Sequence, residues 1–181
     1  MIWYSSSVYS FPNFKNHKSQ KGSFLAASPF ITNKTLQNAV IVILECNESI
    51  VSAVKINQTK LKQEEYCSYP MYDGGLSDHK KILLLHSGDK KLANTNQLTE
   101  DIFVTDMDET TQFYPKKYYA VPGCMSWMYE DFMKEVKNSE WIPVMGSSKL
   151  VFDTPIIKRW HEAYRSCGIR PELIQREYAI N

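Results

Sequence analysis

The cysteine at position 124 has surroundings that could support nucleophilic chemistry. Cys124 follows Gly123 and precedes a helix that the sequence predicts over Trp127–Lys137. Backbone N–H groups and the helix dipole at such an N-terminus lower the pKa of a thiol and make it nucleophilic or redox-sensitive. A hydrolase would also need a histidine base, and His86 or His161 could serve only if the fold brought one of them to the sulfur. The sequence favours the alternative, in which Cys124 packs as a small apolar residue.

A second candidate is an apolar strand that runs into a D-x-D-x-T motif. The motif is Asp106-Met107-Asp108-Glu109-Thr110, and it resembles the nucleophile loop of haloacid-dehalogenase-type phosphatases. That resemblance implies that Asp106 would attack phosphorus, Asp108 would act as general acid and base, and Mg²⁺ would offset the phosphate charge. Such an enzyme also needs a downstream lysine, for which Lys116 and Lys117 come too early, and a later acidic pair, which does not appear. We therefore favour a strand end that continues into a polar segment.

The cysteines and histidines do not form a metal-binding pattern. Cys46, Cys67, Cys124 and Cys167 contain no C-x-x-C pair, and the four histidines are equally scattered. A zinc site or a disulfide scaffold normally shows closer and more regular spacing. The sequence therefore predicts no metal and no cofactor, and it favours reduced thiols in a cytoplasmic protein.

Composition sets the class of protein that must position these groups. The chain has 181 residues, of which 43% are hydrophobic and 23% charged, and its net charge is +1. This length supports one domain with a substantial core. A near-neutral charge disfavours a general electrostatic attraction to nucleic acid or anionic lipid. No apolar run approaches the roughly 20 residues that a membrane helix requires.

Strand and helix patterns alternate along the chain. A strand is predicted over Ala39–Glu45, and its uniformly apolar run Val40–Leu44 predicts burial on both faces, because that run has no polar side to present to water. Paired glycines in Asp73-Gly74-Gly75 predict a turn. Further strands are predicted over 23–28, 50–56, 82–86, 101–105 and 118–121, and short helices over 32–38 and 61–66.

The two helices nearest the C-terminus are the clearest local patterns. Ser126 is predicted to cap the helix over Trp127–Lys137. The last helix is predicted to be capped by Asp153 or Thr154, with Pro155 in its first turn. Its apolar stripe is predicted to include Ile156, Ile157, Trp160, Tyr164 and Cys167, and Gly168 is predicted to end it. These patterns predict a single α+β domain between an N-terminal arm and a C-terminal tail.

Several motifs, in their order along the chain, resemble the YqgE/AlgH family, also called UPF0301. Met71-Tyr72-Asp73-Gly74-Gly75 is similar to that family's double-glycine turn, and Leu85-His86-Ser87 to the Leu-His pair downstream. Gly123-Cys124-Met125-Ser126-Trp127 falls where the family has G-Y-A-G-W. The other matching segments are Gly22–Pro29, Asp101–Thr105, Trp141, Leu150–Pro155, Trp160 and Gly168. This resemblance gives the bounds, with the domain over 22–169, the arm over 1–21 and the tail over 170–181.

The resemblance implies an α+β fold in which a bifurcated mixed sheet partly closes into a small barrel flanked by helices. One departure is clear, because the family's Gly-rich strand ending in Asn-Arg-Pro is replaced by Ser49–Thr59, where only Asn57 remains. Glycines let a ligand or another backbone approach closely. We therefore interpret the chain as a divergent member with a changed or lost pocket.

The functional prediction is a non-catalytic domain that regulates by binding a protein partner. Family members are often labelled transcriptional regulators, but the acidic helix over Trp127–Lys137 disfavours direct DNA binding. The tyrosines at 114, 118 and 119 beside Lys116 and Lys117 form either an exposed interface or an ordinary strand. The alternative function is a hydrolase or redox sensor that uses Cys124 or the Asp106/Asp108 pair. The residues predicted for a functional surface or pocket are Asp73, Gly74, Gly75, His86, Gly123, Cys124 and Trp127.

Overall fold

A computed structural model describes residues 20–58, 69–75, 77–88, 94–107 and 114–172. The described strands are β1 (Phe24–Ala27), β2 (Val40–Cys46), β3 (Ile50–Lys55), β4 (Ser77–Ser87), β5 (Thr95–Gln97), β6 (Ile102–Met107), β7 (Tyr118–Met128) and β8 (Trp141–Val144). The α-helices are α1 (Tyr129–Lys137) and α2 (Arg159–Ser166), with 3-10 turns at Lys34–Leu36 and Ile156–Lys158 and a π-helical turn at Lys149–Asp153. None of the described helices has the length and apolar character needed to cross a membrane.

The strands form one curled sheet in the order β5-β6-β4-β7-β3-β2-β1-β8. Its described strand pairs are antiparallel, and an isolated parallel bridge joins Met71 to Ala120. The loop after β5 reaches the start of β1, because a Cβ on Gly22 would lie 1.8 Å from the carbonyl oxygen of Leu98. The sheet is therefore a half-barrel, and the predicted α+β fold is confirmed.

Strand β2 is buried on both faces, as its apolar run predicts. Val40 and Val42 face one core, which also contains Trp160 and Tyr164 of α2. Ile41 and Ile43 face the opposite core, whose members include Phe132 of α1 and Trp141. Alternate side chains of a strand point to opposite faces of its sheet, so one continuous apolar strand supplies both cores.

The sheet bifurcates along β7. Residues Met125–Met128 pair with β3, whereas the preceding part of the strand, from Tyr118 to Cys124, pairs with β4. Beyond Ala53, β3 no longer pairs with β7, and the chain segment 69–75 lies beside β7 instead. This gap between two diverging strands is where the candidate site forms.

The predicted start of the first α-helix is wrong. Strand β7 continues to Met128, and α1 begins at Tyr129 without a side-chain cap, so Ser126 and Cys124 lie within a strand. The register Ile50↔Met128 and Val51↔Trp127 shows the reason. Pairing with β3 engages the backbone of these residues, and tertiary pairing overrides the local helix pattern.

The last helix also differs from its prediction. A 3-10 turn at Ile156–Lys158 precedes α2, and neither helix has a side-chain cap from Asp153 or Thr154. Ile157 is 86% exposed instead of lying on a buried stripe. The tighter 3-10 turn changes the angular position of each side chain, so the 3.6-residue period that places Ile157 inward does not hold there. Gly168 ends the helix as predicted, with a φ of +73°.

Some predicted segments lie outside the described residues. They are the helix over 61–66, residues 1–19 of the N-terminal arm and residues 173–181 of the C-terminal tail. The boundaries of the domain at 22 and 169 stay predictions.

Candidate functional site

The segment 69–75 fills the gap where β3 and β7 diverge. The amide of Tyr72 donates to the carbonyl of Ala120 at 2.9 Å, and the amide of Gly74 donates to that of Pro122 at 3.1 Å. On the other side, the amide of Lys55 donates to the carbonyl of Gly74 at 3.0 Å. The segment therefore bridges the two arms of the sheet through backbone hydrogen bonds.

The glycines of two separate motifs meet at this bridge. A Cβ on Gly74 would lie 2.5 Å from the carbonyl oxygen of Gly123, and one on Gly75 would lie 2.3 Å from the carbonyl carbon of Cys124. Gly123 has a φ of +75°, a backbone conformation that favours glycine. These glycines allow two backbones to touch, so their role is close packing beneath the site.

A first cleft of about 440 Å³ opens above this packing. It lies between the 3-10 turn at Lys34–Leu36, the bridging segment and the end of β7. Its apolar wall includes Leu36 and Trp127, and its polar lining includes Lys55, Asp73 and Ser126.

A second cleft of about 600 Å³ lies next to the first, and Thr35, Lys55 and Gln58 line both. One side of the second cleft is apolar and is formed by Ile156, Ile157 and Trp160. Its polar lining includes the side-chain amides of Gln37, Asn38, Asn57 and Gln58. We refer to the two clefts together as the joined cleft.

Lys55 lies where the two clefts meet. Its Nζ donates to the carbonyl of Thr35 at 3.4 Å. Partial burial lowers the pKa of Lys55, and the nearby negative charge of Asp73 offsets part of that effect. The ammonium group is therefore a partly desolvated positive charge at the centre of the joined cleft.

Two polar side chains of the joined cleft are held by backbone groups. The Oδ1 of Asn57 accepts from the amide of Val40 at 2.8 Å, and its Nδ2 donates to the carbonyl of Asn38 at 2.6 Å. The Oδ1 of Asp73 accepts from the amide of Gly75 at 3.1 Å. These bonds fix the walls of the cleft.

The structure brings most of the predicted site residues together. Asp73, Gly75 and Trp127 line the first cleft, while Gly74 and Gly123 are buried beneath it. The half-buried Cys124 lies beside them, with its Sγ 3.8 Å from the Oγ of Ser126. Sequence reasoning missed Lys55 as a site residue. In the sequence, the one feature that could have indicated Lys55 is its place within Ser49–Thr59, the segment that departs from the family pattern.

His86 lies elsewhere, fully buried on β4. Its Nδ1 donates to the carbonyl of Ser87 at 2.8 Å, which leaves Nε2 to accept from the Oγ1 of Thr105 at 2.9 Å. The Oγ1 of Thr105 in turn accepts from that of Thr95 at 2.7 Å. This network joins β4, β6 and β5, so His86 is a hydrogen-bonded core residue and does not contribute to the joined cleft.

The remaining candidates do not form a shared site with Cys124. Asp106 lies on β6 and pairs with Lys81 at 3.0 Å, while Asp108 is outside the described residues. Within the described part of the chain, no group of three or more His, Cys, Asp or Glu side chains could hold a metal ion. Of the predicted aromatic patch, Tyr119 is buried and Tyr114 is 62% exposed, so it is divided between core and surface.

Comparison with known proteins identifies the relatives of this architecture. The AlgH-like family model, DUF179, matches residues 24–172. A UPF0301 protein of Vibrio parahaemolyticus is 26% identical over 188 residues, covering 91% of this chain and 97% of the relative. A UPF0301 protein of Aliivibrio fischeri is 27% identical with the same coverage.

Solved structures share the fold. The solution structure of AlgH from Pseudomonas aeruginosa gives a TM-score of 0.66 at 19% identity, covering 97% of each chain. The crystal structure of protein DIP2367 from Corynebacterium diphtheriae gives 0.67 at 15% identity, covering 87% of this chain and 94% of the other. The bifurcated sheet, the packed glycines and the family match lead to one conclusion: the chain belongs to the AlgH-like family, as a divergent member.

Proposed function

We propose that this protein is a non-catalytic binding domain that receives an extended segment of a partner protein in the joined cleft. The observation that carries the proposal is a pair of neighbouring clefts that share Lys55 in their lining, with walls fixed by backbone hydrogen bonds. Rigid walls favour binding, because the wall groups need little reorganisation when a ligand enters.

The chemistry of the walls supports a peptide as the ligand. Each cleft has a volume within the range of roughly 300–1,000 Å³ that small ligands occupy. The apolar residues Ile156, Ile157 and Trp160 can cover side chains, and the side-chain amides of Gln37, Asn38 and Gln58 in the same lining can bond to a peptide backbone. An extended peptide presents both kinds of group along its length.

We further propose that the domain acts in the cytoplasm as a regulator through its partner. Free thiols at Cys46, Cys124 and Cys167 support a reducing compartment. The net charge of +1 supports a protein partner over a nucleic acid.

Site-specific photo-crosslinking tests this function in cells that make the protein. A benzophenone amino acid would replace Ile157, which is 86% exposed at the joined cleft. The matched control would replace Tyr114, which is 62% exposed and does not line either cleft. We expect position 157 to crosslink to a discrete partner protein, with a yield that falls when unlabelled chain competes. Crosslinking from position 114 alone, or from neither position, would refute the proposal.

A further inference from the structure

One face of the sheet is exposed at the end where β3 pairs with β7. Cross-strand partners point to the same face of a sheet, and alternate residues of a strand point to opposite faces. Val51 and Trp127 are partners on the face that packs against α1. Ile50 and Met128 are the next partners along these strands, so they point to the opposite face, where they are 39% and 62% exposed.

This exposed face extends over three strands. In the strand register, Ser52 of β3 lies between Glu45 of β2 and Ser126 of β7. Because Ser52 is two residues from Ile50, it points to the same face, and so do its two partners. Glu45 and Ser126 are exposed, and Ser52 is half-buried. We refer to these three residues, together with Ile50 and Met128, as the open face.

The open face carries two adjacent aliphatic side chains on a fixed backbone. Single exposed apolar residues are ordinary in proteins, but Ile50 and Met128 lie directly opposite each other across two paired strands. Beyond this pair, the amide of Tyr129 donates to the carbonyl of Ser49 at 2.9 Å. A partner that covers the two side chains would gain free energy by removing apolar area from water, with little reorganisation of this backbone.

The charges around the open face are negative. Glu45 lies on the face, Glu48 lies in the turn between β2 and β3, and Glu130 lies in the first turn of α1. Within the described structure, no lysine, arginine or histidine is within ion-pair distance of these three glutamates. The sequence explains this pattern, since the segments 40–54 and 118–133 contain no basic residue.

The next basic residue along α1 does not contact the three glutamates. It is Lys134, whose ammonium group pairs with Asp131 at 2.8 Å. Negative charge around the open face repels the phosphates of nucleic acids and anionic lipids, and it favours a partner that carries lysine or arginine. A second copy of this chain would bring the same glutamates to a symmetric contact, so charge disfavours that occupant as well.

We propose that the open face is a second interaction surface, which receives a segment of a partner protein that presents a large apolar side chain between basic residues. The apolar side chain would cover Ile50 and Met128, and the basic residues would face the three glutamates. Ile50 and Met128 line neither cleft, so this surface functions without the joined cleft, which it adjoins at Ser126.

Peptide selection followed by counter-selection tests this proposal. Random peptides displayed as internal inserts would be selected on the immobilised full chain, and those that also bind the double variant Ile50→Thr/Met128→Ser would be removed. The peptides that remain require the open face. We expect them to share a large apolar residue with lysine or arginine on both sides. Circular dichroism would establish that the double variant is folded.

Single variants measure the apolar and the charged contributions separately. Met128→Ser should weaken binding of the selected peptides roughly tenfold. Its matched control is Met145→Ser, since Met145 is 53% exposed and lies outside the open face, and this control should leave affinity unchanged. Glu48→Lys should weaken binding roughly fivefold or more, because it replaces an attraction by a repulsion. Glu100→Lys makes the same change at an exposed position between β5 and β6 and should have no effect.

The results that contradict the proposal are distinct from those that bear on the joined cleft. The proposal is wrong if no peptide remains after counter-selection, if the remaining peptides lack basic residues, or if Met128→Ser and Met145→Ser weaken binding equally. Self-association of the chain in sedimentation, abolished by Met128→Ser, would assign the open face to a second copy instead. Loss of the crosslink from position 157 would refute only the function proposed for the joined cleft.

Discussion

Gly75 packs directly against the backbone of Cys124, and a Cβ at position 75 would lie 2.3 Å from the Cys124 carbonyl carbon. Real Cβ atoms do not approach backbone atoms so closely. The contact joins the bridging segment to β7 immediately below the first cleft. The shape of the cleft therefore depends on a glycine that makes no contact through a side chain.

The variant Gly75→Ala should be strongly destabilising. The added methyl group would force the bridging segment away from β7, which we expect to lower the free energy of unfolding by about 3 kcal/mol. Gly168→Ala is the matched control, since both glycines have positive φ (+152° and +73°) but no atom lies within 4 Å of a Cβ at position 168. That control should cost about 1 kcal/mol from backbone strain alone. Denaturant titration measures both, and equal losses would contradict the close-contact explanation.

Stability should fall at high pH because of the buried Tyr119. Burial raises the pKa of Tyr119 from 10.0 to about 12, and the positive charge of Arg159 offsets only part of this effect. The folded state therefore favours the neutral phenol, and this contribution is fully present below about pH 10 and lost as the pH rises through about 12. A two-unit shift corresponds to about 2–3 kcal/mol. Unfolding titrations between these pH values should show the decline.

Two tyrosine variants identify the origin of that decline. The buried Tyr119 hydroxyl lies near the Arg159 guanidinium but makes no hydrogen bond of ordinary geometry to a described residue, so Tyr119→Phe should largely keep neutral-pH stability and reduce the alkaline loss. Tyr164 donates to the carbonyl of Ala27 at 3.1 Å, so Tyr164→Phe should cost about 1 kcal/mol at neutral pH. Burial also raises the pKa of Tyr164, so this variant too should reduce the alkaline loss. An unchanged alkaline decline in Tyr119→Phe would show that other groups cause it.

The side chain of Arg159, at the start of α2, is hydrogen-bonded to Ile56, the residue that follows Lys55 at the end of β3. Its Nε donates to the carbonyl of Thr154 at 2.9 Å, and its Nη1 donates to that of Ile56. Arg159→Lys should lower the free energy of unfolding by about 2 kcal/mol, because an ammonium group does not reproduce this two-armed geometry. Thermal and denaturant unfolding measure the change.

Arg165→Lys makes the same exchange at an exposed position of α2. Arg165 pairs with Glu162 at 2.7 Å on the surface, so its replacement should change stability by less than about 0.5 kcal/mol. Similar losses in the two variants would mean that helix propensity, and not the buried hydrogen bonds of Arg159, determines the effect.

Thiol labelling tests the enzymatic alternative. With iodoacetamide at neutral pH, Cys46 should react more slowly than Cys124 and Cys167, because it is buried and because burial raises the pKa of its thiol. Cys124 and Cys167 are half-buried and should react at comparable rates, each slower than in the unfolded chain. Peptide mass mapping over time gives these rates. Selective labelling of Cys124, faster in the folded than in the unfolded chain, would favour a hydrolase or redox role.

The sequence predicts those features of the fold that depend on local pattern. The apolar run of β2 predicts burial on both faces. The paired glycines at 74 and 75 predict a turn, whereas the structure places them in the segment that bridges β3 and β7. The end of β7 is not predictable in the same way, because Trp127 and Met128 fit a helix as well as a strand. Only pairing with β3, a contact distant in sequence, decides between the two.

The residues of the candidate site also divide into those that the sequence predicts and those that only the fold reveals. Asp73 and Trp127 belong to recognisable motifs, and both line the first cleft. Lys55 lacks such a motif, and its importance arises because two clefts meet at its side chain. His86 belongs to a motif but serves the core, since Ser87 and Thr105 satisfy both of its ring nitrogens.

Hydrogen–deuterium exchange of the chain with its crosslinked partner tests the central claim most directly. We predict that bound partner slows exchange along the joined cleft, at the segments that contain Thr35, Asn57 and Asp73, and leaves the exposed face of α1 unchanged. Protection confined to α1 or to the region of Tyr114, with no change at the cleft segments, would contradict binding in the joined cleft.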